Sequence, residues 1–458
     1  MTGKRIVGLL IAAAALAVAQ TTAERVRAIL QPPVHSAEVA AFQLHQYLLA
    51  KIPLLPAPED AKDWTAQARL LRKRLLRDIV FHGWPVEWVN SPPHFIETGV
   101  IETGKGYRIR KLRYEVVPGF SSTALLYEPE SVSGKLPAIL NLNGHVGRAG
   151  KTVEYKQKRS INQALRGALA LNLEWLGCGE LDGPEQQHVF AGHLDLVGAN
   201  GLGLFYLAMR RGLDYLARHA AVDMRRIGVT GLSGGGWQSI LLGALDERVS
   251  VAVPVAGFMA MRSRLARPAE IGDNEQNATD LLTIADYSHL TALRAPRPTL
   301  LIYNAEDDCC FRAPLVKPHI FDPAIRFFRL YGQPDSLAWH ENTDPSDHNY
   351  QLDNRQQAYR FFARYLGLGG PESEFPVDGE VRSFDELAVG LPPDNLSILG
   401  VARKLVERIE RPLHRSQARK GIARADRALP AGSRNSGVRC RQHEEPRIGD
   451  SLLSPGLQ

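Results

Sequence analysis

The chain has 458 residues, of which 44% are hydrophobic and 23% charged, and its formal net charge is +6. This composition is ordinary for a globular protein and leaves room for one large domain with extensions or for several small ones. Ten Lys/Arg and four Asp/Glu lie from Arg411 onward, so the remainder of the chain is close to neutral. A nucleic-acid groove requires a clustered basic face, and the charge distribution therefore argues against a nucleic-acid partner.

The N-terminus has the pattern of a secretory signal peptide. Lys4 and Arg5 precede the apolar stretch 6–18, and Ala17-Val18-Ala19 matches an A-x-A cleavage site. The apolar stretch is too short to span a bilayer comfortably. We therefore expect a signal peptide at 1–19, a secreted or periplasmic protein, and no stable membrane insertion after cleavage.

Helical and β patterns then follow one another along the chain. Apolar residues at helical spacing predict helices at about 36–50 and 64–82, within a helical N-terminal extension that covers 20–94. Alternating apolar and polar residues predict β structure between 95 and 128. Further along, short apolar runs alternate with helical patterns, and these predict strands at 138–142, 168–173, 226–230, 251–255, 299–303 and 327–331.

This alternation indicates an α/β fold in which a mostly parallel sheet is covered by helices on both faces. The predicted helices of this part include 202–219 and a last helix at about 354–366. We assign 95–370 to the catalytic domain, 371–410 to a C-terminal extension and 411–458 to a disordered basic tail, since periodicity is lost there. The cysteines show neither a disulfide framework nor metal-ligand spacing, and we expect them to be mostly free: Cys178, Cys309, Cys310 and Cys440.

The most informative motif is Gly231-Leu232-Ser233-Gly234-Gly235, which matches G-x-S-x-G. It follows a predicted strand and opens a predicted helix, which is the context of the nucleophile elbow of the α/β-hydrolase fold. The turn is so tight that side chains beside the serine would clash, and glycine removes them. Ser233 is therefore the predicted nucleophile.

A serine nucleophile needs a base, which is usually a histidine held by a carboxylate. In this fold the acid follows the serine in sequence, and the histidine comes last. The strand 299–303 leads into Glu306, Asp307 and Asp308, and we choose Asp307, with Asp308 and then Glu306 as alternatives. His348 lies between the predicted last strand and last helix and is the predicted base, with His340 as the alternative.

The oxyanion of acyl transfer needs two backbone N–H donors. Gly234 follows the nucleophile and supplies one, and the loop after Asn143-Gly144 supplies the other through the amide of His145. Four further residues lie in or after the loop of the second strand and are candidates for the substrate pocket, or else for loop packing: Glu174, Trp175, His188 and His193.

These segments resemble those of bacterial acetyl xylan esterases and the wider dienelactone-hydrolase-like group. The resemblance covers roughly 107–366 and is strongest in residues 226–236 and 244–249, and in 136–140 before Asn143-Gly144-His145. The acid segment 304–308 is similar to the Gly-x-x-Asp-Asp segment of prolyl-oligopeptidase-like hydrolases, which places the acid on Asp307. The chain departs from these patterns with Asn304 where Gly is usual and with His145 where an aromatic residue is frequent.

The resemblance implies no metal and no organic cofactor. It favours a serine carboxylic-ester hydrolase, with a short-chain acetyl esterase on acetylated carbohydrate as the leading hypothesis and a small-molecule or carbohydrate ester as the substrate. One alternative is a prolyl-oligopeptidase-like peptidase, which the short helical N-terminal region disfavours because those enzymes carry a propeller domain. The other alternative is a non-catalytic binding protein of the same fold, which the complete serine, acid and histidine set disfavours.

Overall fold

The computed structural model describes residues 22–31, 36–267 and 272–409. The predicted signal peptide at 1–19 and the predicted tail at 411–458 lie outside these residues. The chain divides into two compact units, Met1–Val406 and Glu407–Gln458, and of the second the structure describes only residues 407–409. The domain boundaries expected at 94/95 and 370/371 stay predictions.

The centre of the first unit is a nine-stranded sheet formed by the described residues. In chain order its strands are β1 (Phe95–Glu102), β2 (Tyr107–Val117), β3 (Phe120–Pro129), β4 (Leu136–Asn141), β5 (Leu169–Leu173), β6 (Val222–Leu232), β7 (Val251–Val255), β8 (Thr299–Asn304) and β9 (Leu337–Asn342). Strands β1, β2 and β3 pair antiparallel, and β3 joins β5 antiparallel. From β5 onward all pairs are parallel. Every residue of β5, β7 and β8 is buried, as expected for strands that are covered on both faces.

The order of the strands determines where a ligand can bind. The sheet runs β1-β2-β3-β5-β4-β6-β7-β8-β9, so the chain leaves β4 toward β5 on one side and returns to β6 on the other. Such a reversal opens a crevice outside the carboxyl ends of the two strands that flank it, here β4 and β6. The loop after β4 and the turn after β6 therefore meet at this crevice.

Helices cover the sheet and precede it. They are α1 (Thr22–Leu30), α2 (Ala37–Lys51), α3 (Ala61–Arg74), α4 (Val86–Val89), α5 (Glu154–Leu165), α6 (Ala191–Leu196), α7 (Leu202–Arg218), α8 (Gly234–Leu245), α9 (Met261–Leu265), α10 (Tyr287–Ala292), α11 (Ala313–Val316), α12 (Phe321–Leu330), α13 (Leu352–Leu366), α14 (Phe384–Leu387) and α15 (Ile398–Ile409). A π-helical turn, Leu75–Val80, continues α3. Helix α8 packs on β6 and β7, and α13 packs along β6 to β9, so the hydrophobic core lies between helices and sheet. Within the described residues, no helix is both long enough and apolar enough to cross a membrane.

One predicted strand is wrong. Residues 327–331 lie at the end of helix α12, and the strand of this region is β9, ten residues further on. The apolar run at 327–331 is short, and such a run does not distinguish a strand from a buried helix turn. The wider spacing is helical, since Ala324, Phe327 and Phe328 are all buried on one face of α12.

Candidate active site

Ser233 occupies a strained turn between β6 and α8. Its backbone has φ 59° and ψ −122°, a conformation that side-chain-bearing residues rarely adopt. The Ser233 N–H donates to the carbonyl of Val255 on β7 at 3.0 Å, and the Ser233 carbonyl accepts from Trp237 at 2.9 Å. These bonds to the neighbouring strand and to the following helix stabilise the turn.

The glycines of this turn are required by space. A Cβ atom on Gly231 would lie 2.1 Å from the carbonyl oxygen of Leu142, and one on Gly235 would lie 2.2 Å from the same oxygen. Both distances are far below van der Waals contact, so only glycine lets the chain pass this close to the end of β4. We call residues 231–235 the serine turn.

Asp307 and His348 form a hydrogen-bonded pair at the ends of β8 and β9. Asp307 Oδ2 lies 2.7 Å from His348 Nδ1, and Asp307 Oδ1 accepts the backbone N–H groups of Cys309 and Cys310 at 3.0 and 2.9 Å. Burial by itself raises the pKa of Asp307, but the hydrogen bond and charge of His348 and the backbone donors outweigh it, and the pKa is lowered. The carboxylate is thus ionised and oriented toward the imidazole.

The serine turn and this pair share one edge of the sheet. Ser233 follows β6, and Asp307 and His348 follow β8 and β9, which run parallel to β6 through β7. Within the described part of the chain, no group hydrogen bonds to the Ser233 hydroxyl. In structures without substrate, catalytic hydrogen bonds are often long and tighten only in the complex.

The alternative acids and the alternative base have other positions. Asp308 is exposed and accepts the backbone N–H of His348 at 3.0 Å, so it contacts the loop and not the imidazole. Glu306 is also exposed. His340 lies within β9, where its Nε2 is 2.6 Å from Asp353 Oδ2. Of these candidates, Asp307 is the carboxylate that contacts the imidazole of His348.

The loop after β4 lies directly against the serine turn. A Cβ atom on Gly144 would be 2.7 Å from the carbonyl oxygen of Leu232 and 2.8 Å from the amide nitrogen of Gly234. The Gly234 N–H belongs to the first turn of α8, where amides have no intrahelical acceptor. Among the described residues, neither the amide of Gly234 nor the amide of His145 has a hydrogen-bond acceptor.

The residues predicted to line the pocket have diverse environments. Trp175 is 1% exposed, and its Cζ2 would be 3.2 Å from a Cβ atom on Gly234, so the indole lies beside the serine turn. His193 is exposed on α6. His188 is buried, with Nε2 at 2.7 Å from the carbonyl oxygen of Leu176. Trp175 and His188 contact each other, with ring centroids 4.9 Å apart.

Glu174 lies in a network of buried charges between the loops that follow β4 and β5. Lys151 Nζ is 3.0 Å from Glu174 Oε2 and also hydrogen bonds to Glu180. Burial lowers the pKa of Lys151, yet the two carboxylates more than compensate and raise it. Lys156 is equally buried, but its Nζ donates to the carbonyl of Gly150 at 2.8 Å instead of to a carboxylate. We call Lys151, Lys156, Glu174 and Glu180 the charge cluster.

A second group of ionisable side chains surrounds His145, whose ring is 42% exposed. His145 Nε2 lies 3.0 Å from His188 Nδ1, and Glu275 Oε2 lies 3.0 Å from the same Nδ1 atom. Burial and the neighbouring His188 lower the pKa of His145, whereas for His188 the effect of Glu275 exceeds that of burial and raises the pKa. We call His145, His188 and Glu275 the histidine cluster.

Sequence reasoning did not identify Lys151, Lys156, Glu180 or Glu275. None of them lies in a motif with fixed spacing: three lie in short 3-10 turns, and Lys156 lies in the first turn of α5. The adjacent cysteines are a correction, since Cys309 and Cys310 are bonded to each other while the buried Cys178 is free. The prediction that the cysteines are mostly free rests on the lack of a disulfide framework, but a bond between neighbouring residues requires no such framework.

The sheet order and the strand–serine–helix turn are those of the α/β-hydrolase class, and comparisons with known proteins agree. Residues 209–368 match the model of the prolyl oligopeptidase family. YtaP of Bacillus subtilis (strain 168), which is named as a hydrolase, is 28% identical over 172 residues, covering 35% of this chain and 56% of YtaP. The chain therefore spans about half the length of the curated relative that it matches.

Solved structures extend the similarity over most of the chain. Methylesterase BT1017 has a TM-score of 0.59 at 23% identity, covering 85% of this chain and 81% of its own. A Bacteroides fragilis NCTC 9343 protein assigned as an acetyl xylan esterase has a TM-score of 0.55 at 19% identity, and the match covers 76% of this chain and 94% of that protein. A glucuronoyl esterase from Solibacter usitatus has a TM-score of 0.51 at 16% identity, and the match covers 69% of this chain and 100% of that esterase. The predicted fold and the predicted resemblance to esterases of this fold are confirmed, and the enzyme class that these similarities indicate is the hydrolases.

Proposed function

We propose that the protein is a serine carboxylic-ester hydrolase that works through a covalent acyl-enzyme. The observation that carries the proposal is the position of Ser233, held at φ 59° on a strand–helix turn, on the edge of the sheet where Asp307 and His348 form their 2.7 Å pair. A strained serine with an adjacent histidine–carboxylate pair is the arrangement that activates a hydroxyl for acyl transfer.

In the proposed reaction, Ser233 Oγ attacks the ester carbonyl while His348 Nε2 accepts the hydroxyl proton. Asp307 holds Nδ1–H of the imidazole and stabilises the imidazolium that forms. The amides of Gly234 and His145 donate to the oxyanion of the tetrahedral intermediate. His348 then returns the proton to the leaving alcohol, and water repeats the cycle on the acyl-enzyme.

We further propose a short acyl group, acetyl in the leading case, carried by a carbohydrate. The indole of Trp175 supports a shallow acyl pocket, since it lies against the serine turn and contacts Trp237 and Phe205 with ring centroids 6.2 and 5.3 Å apart. Each methylene that a pocket refuses is worth about 1–3 kcal/mol, so selectivity for acetyl over butyryl should be moderate. The signal-peptide pattern at 1–19 supports export, which would bring the enzyme to extracellular carbohydrate.

Peptide-bond hydrolysis is the second candidate, because residues 209–368 match the prolyl oligopeptidase family. The described residues that precede β1 contain helices and no strand, so they do not supply the propeller that such peptidases use to select peptides. This difference favours an ester over a peptide as the substrate.

The test is a substrate panel run on wild type and on Ser233→Ala. It comprises aryl esters from acetyl to octanoyl, acetylated xylan, the methyl ester of a uronic acid, and a proline-containing peptide amide. We expect hydrolysis of acetyl esters, a decline toward octanoyl, acetate release from xylan, and no activity in Ser233→Ala. A preference for the uronate methyl ester would retain the mechanism and reject the acetyl substrate, and peptide cleavage at comparable rates would favour the second candidate.

A further inference from the structure

Three side-chain atoms of the histidine cluster that can bind a metal converge on one point beside the loop that follows β4. They are His145 Nε2, His188 Nδ1 and Glu275 Oε2, and all lie within 4.8 Å of one another. The three residues come from separate loops, two of which are short 3-10 turns, His188–Phe190 and Asn274–Asn277. No regular secondary structure connects these side chains, and the packing of three loops brings them to one point.

The hydrogen bond of His188 Nε2 determines which tautomer the neutral ring adopts. His188 Nε2 lies 2.7 Å from the carbonyl oxygen of Leu176, which can only accept, so Nε2 carries a hydrogen. Nδ1 of the neutral ring is then a lone pair, and it faces a carboxylate oxygen and a second imidazole nitrogen at 3.0 Å each. When the hydrogen of neutral His145 lies on Nδ1, which faces Asp273 Oδ2 at 3.6 Å, its Nε2 is a lone pair as well. A cation between the three atoms then removes the repulsion of their lone pairs.

Glu275 strengthens this argument. It is 2% exposed, and among the described residues its carboxylate pairs with no group other than the imidazole of His188. A buried carboxylate is costly unless a positive charge compensates it, and a neutral imidazole supplies none; buried charges are normally paired or bound to a metal. The carboxylate is aimed at His188, so the missing positive charge belongs at the point where the three atoms converge.

We propose that His145, His188 and Glu275 bind a divalent transition-metal ion of the Zn²⁺ class. Two imidazoles and one carboxylate are a ligand set that such ions accept, with bonds of about 2.0–2.2 Å. Bonds of this length span up to roughly 4 Å between ligands, so the observed spacing needs only a small closure. The resemblance to esterases of this fold implies no metal, and no spacing motif in the sequence joins these three ligands.

The surroundings provide the second layer of contacts that metal-bound histidines use. His188 donates Nε2–H to the Leu176 carbonyl, and His145 Nδ1 lies 3.6 Å from Asp273 Oδ2. A carboxylate or carbonyl on the distal nitrogen fixes the ring and raises its basicity toward the metal. The ion would connect the His145 loop to the loops of His188 and Glu275, and so hold the backbone that the proposed function uses as an oxyanion donor.

Metal binding is measured on the full, tag-free chain after removal of metals with a chelator and dialysis. Zn²⁺ is titrated by calorimetry and quantified by elemental analysis, and Co²⁺ is added separately so that its visible absorption reports the ligand field. We expect one equivalent of Zn²⁺ and a Co²⁺ spectrum of low coordination number. The absence of stoichiometric binding of both ions would overturn the proposal and leave a protonated His188 as the missing positive charge.

Variants assign the ligands. His145→Ala and Glu275→Gln should weaken Zn²⁺ binding more than 100-fold, and Asp273→Asn about tenfold, as for residues that orient a ligand. The exposed residues His82 and Glu372 provide matched controls, and His82→Ala and Glu372→Gln should bind as wild type does. His145 is partly exposed, so its truncation should leave a folded protein even where Glu275→Gln does not.

Undiminished binding in both ligand variants would place the metal elsewhere and reject the site. Ser233→Ala should bind Zn²⁺ with wild-type affinity although it hydrolyses no ester. Failure of the metal site and failure of the proposed esterase function are therefore separate results.

Discussion

The serine turn and the charge cluster both adjoin the carboxyl end of the β4 region, yet different forces hold them. The serine turn is restricted by the space available, because a Cβ atom on Gly231 or Gly235 would lie only 2.1 or 2.2 Å from the Leu142 carbonyl oxygen. The stability of the charge cluster depends on ionisation, because Lys151 is 0% exposed and pairs with two carboxylates. A methyl group should therefore disturb the first region, and a change of ionisation the second.

The largest effect is expected from removing the nucleophile without changing the shape of the turn. Ser233→Ala keeps the Cβ atom and the backbone bonds to Val255 and Trp237. Ester hydrolysis should fall by about a millionfold, the loss seen when a triad serine is removed, while the melting temperature stays within a few degrees of wild type. Steady-state kinetics and thermal unfolding measure both, and a folded variant with undiminished activity would show that Ser233 is not the nucleophile.

The two neighbouring acids provide a matched pair at the histidine. Asp307→Asn removes the charge that faces Nδ1 of His348 and should lower kcat by about 10⁴-fold. Asp308→Asn keeps an oxygen that can accept the His348 backbone N–H and should lower kcat by less than about tenfold. The reverse order of effects would identify Asp308 as the acid.

The same contrast explains how much of the site the sequence predicts. Ser233 could be found because five consecutive residues and one preceding strand determine the turn. Asp307 and His348 could be found because the fold places them after particular strands, although the strand before His348 was predicted at 327–331 and is β9. The error arose from a short apolar run whose helical context, α12, is visible only over a longer window.

The charged residues around the site illustrate the opposite case. Glu275 and Lys156 are buried, but nothing in their local sequence distinguishes them from surface residues. His188, which pairs with Glu275, is distant along the chain, and the burial of Lys156 depends on how α5 packs against the loops around it. A single sequence is enough to predict a turn from neighbouring residues, but it does not show which distant segments pack together and bury a charge.

Two glycines of one helix test the role of space. Gly235→Ala places a methyl group 2.2 Å from the backbone of Leu142, and we expect a loss of about 3 kcal/mol in unfolding free energy, together with lower activity. Gly243→Ala, later in α8, meets its nearest atom at 3.4 Å and should stay within about 1 kcal/mol of wild type, since alanine also favours the helix. Urea unfolding of both variants measures the difference, and equal stabilities would show that the close approach to Leu142 imposes no restriction.

The smallest effect, and the sharpest test of charge, concerns Lys156. Burial lowers its pKa to about 7 from an ordinary value of 10.5, and attraction to Glu174 offsets only part of that effect. Between these two values the unfolded chain binds a proton that the folded protein does not, so this group makes stability rise with pH, by up to about 1.4 kcal/mol per unit. Below pH 7 both states are protonated, and the cost of the buried charge is fully present.

Wild type should therefore gain about 2 kcal/mol relative to Lys156→Met between pH 7.5 and 9, because the methionine has no proton to lose. Urea unfolding at both pH values, expressed as the difference between the two proteins, cancels the titration of groups that they share. The exposed Lys105 provides the control, and Lys105→Met should follow wild type at both pH values. If wild type and Lys156→Met show the same pH dependence, the lysine keeps its proton in the folded state and the charge cluster contains two buried cations instead of one.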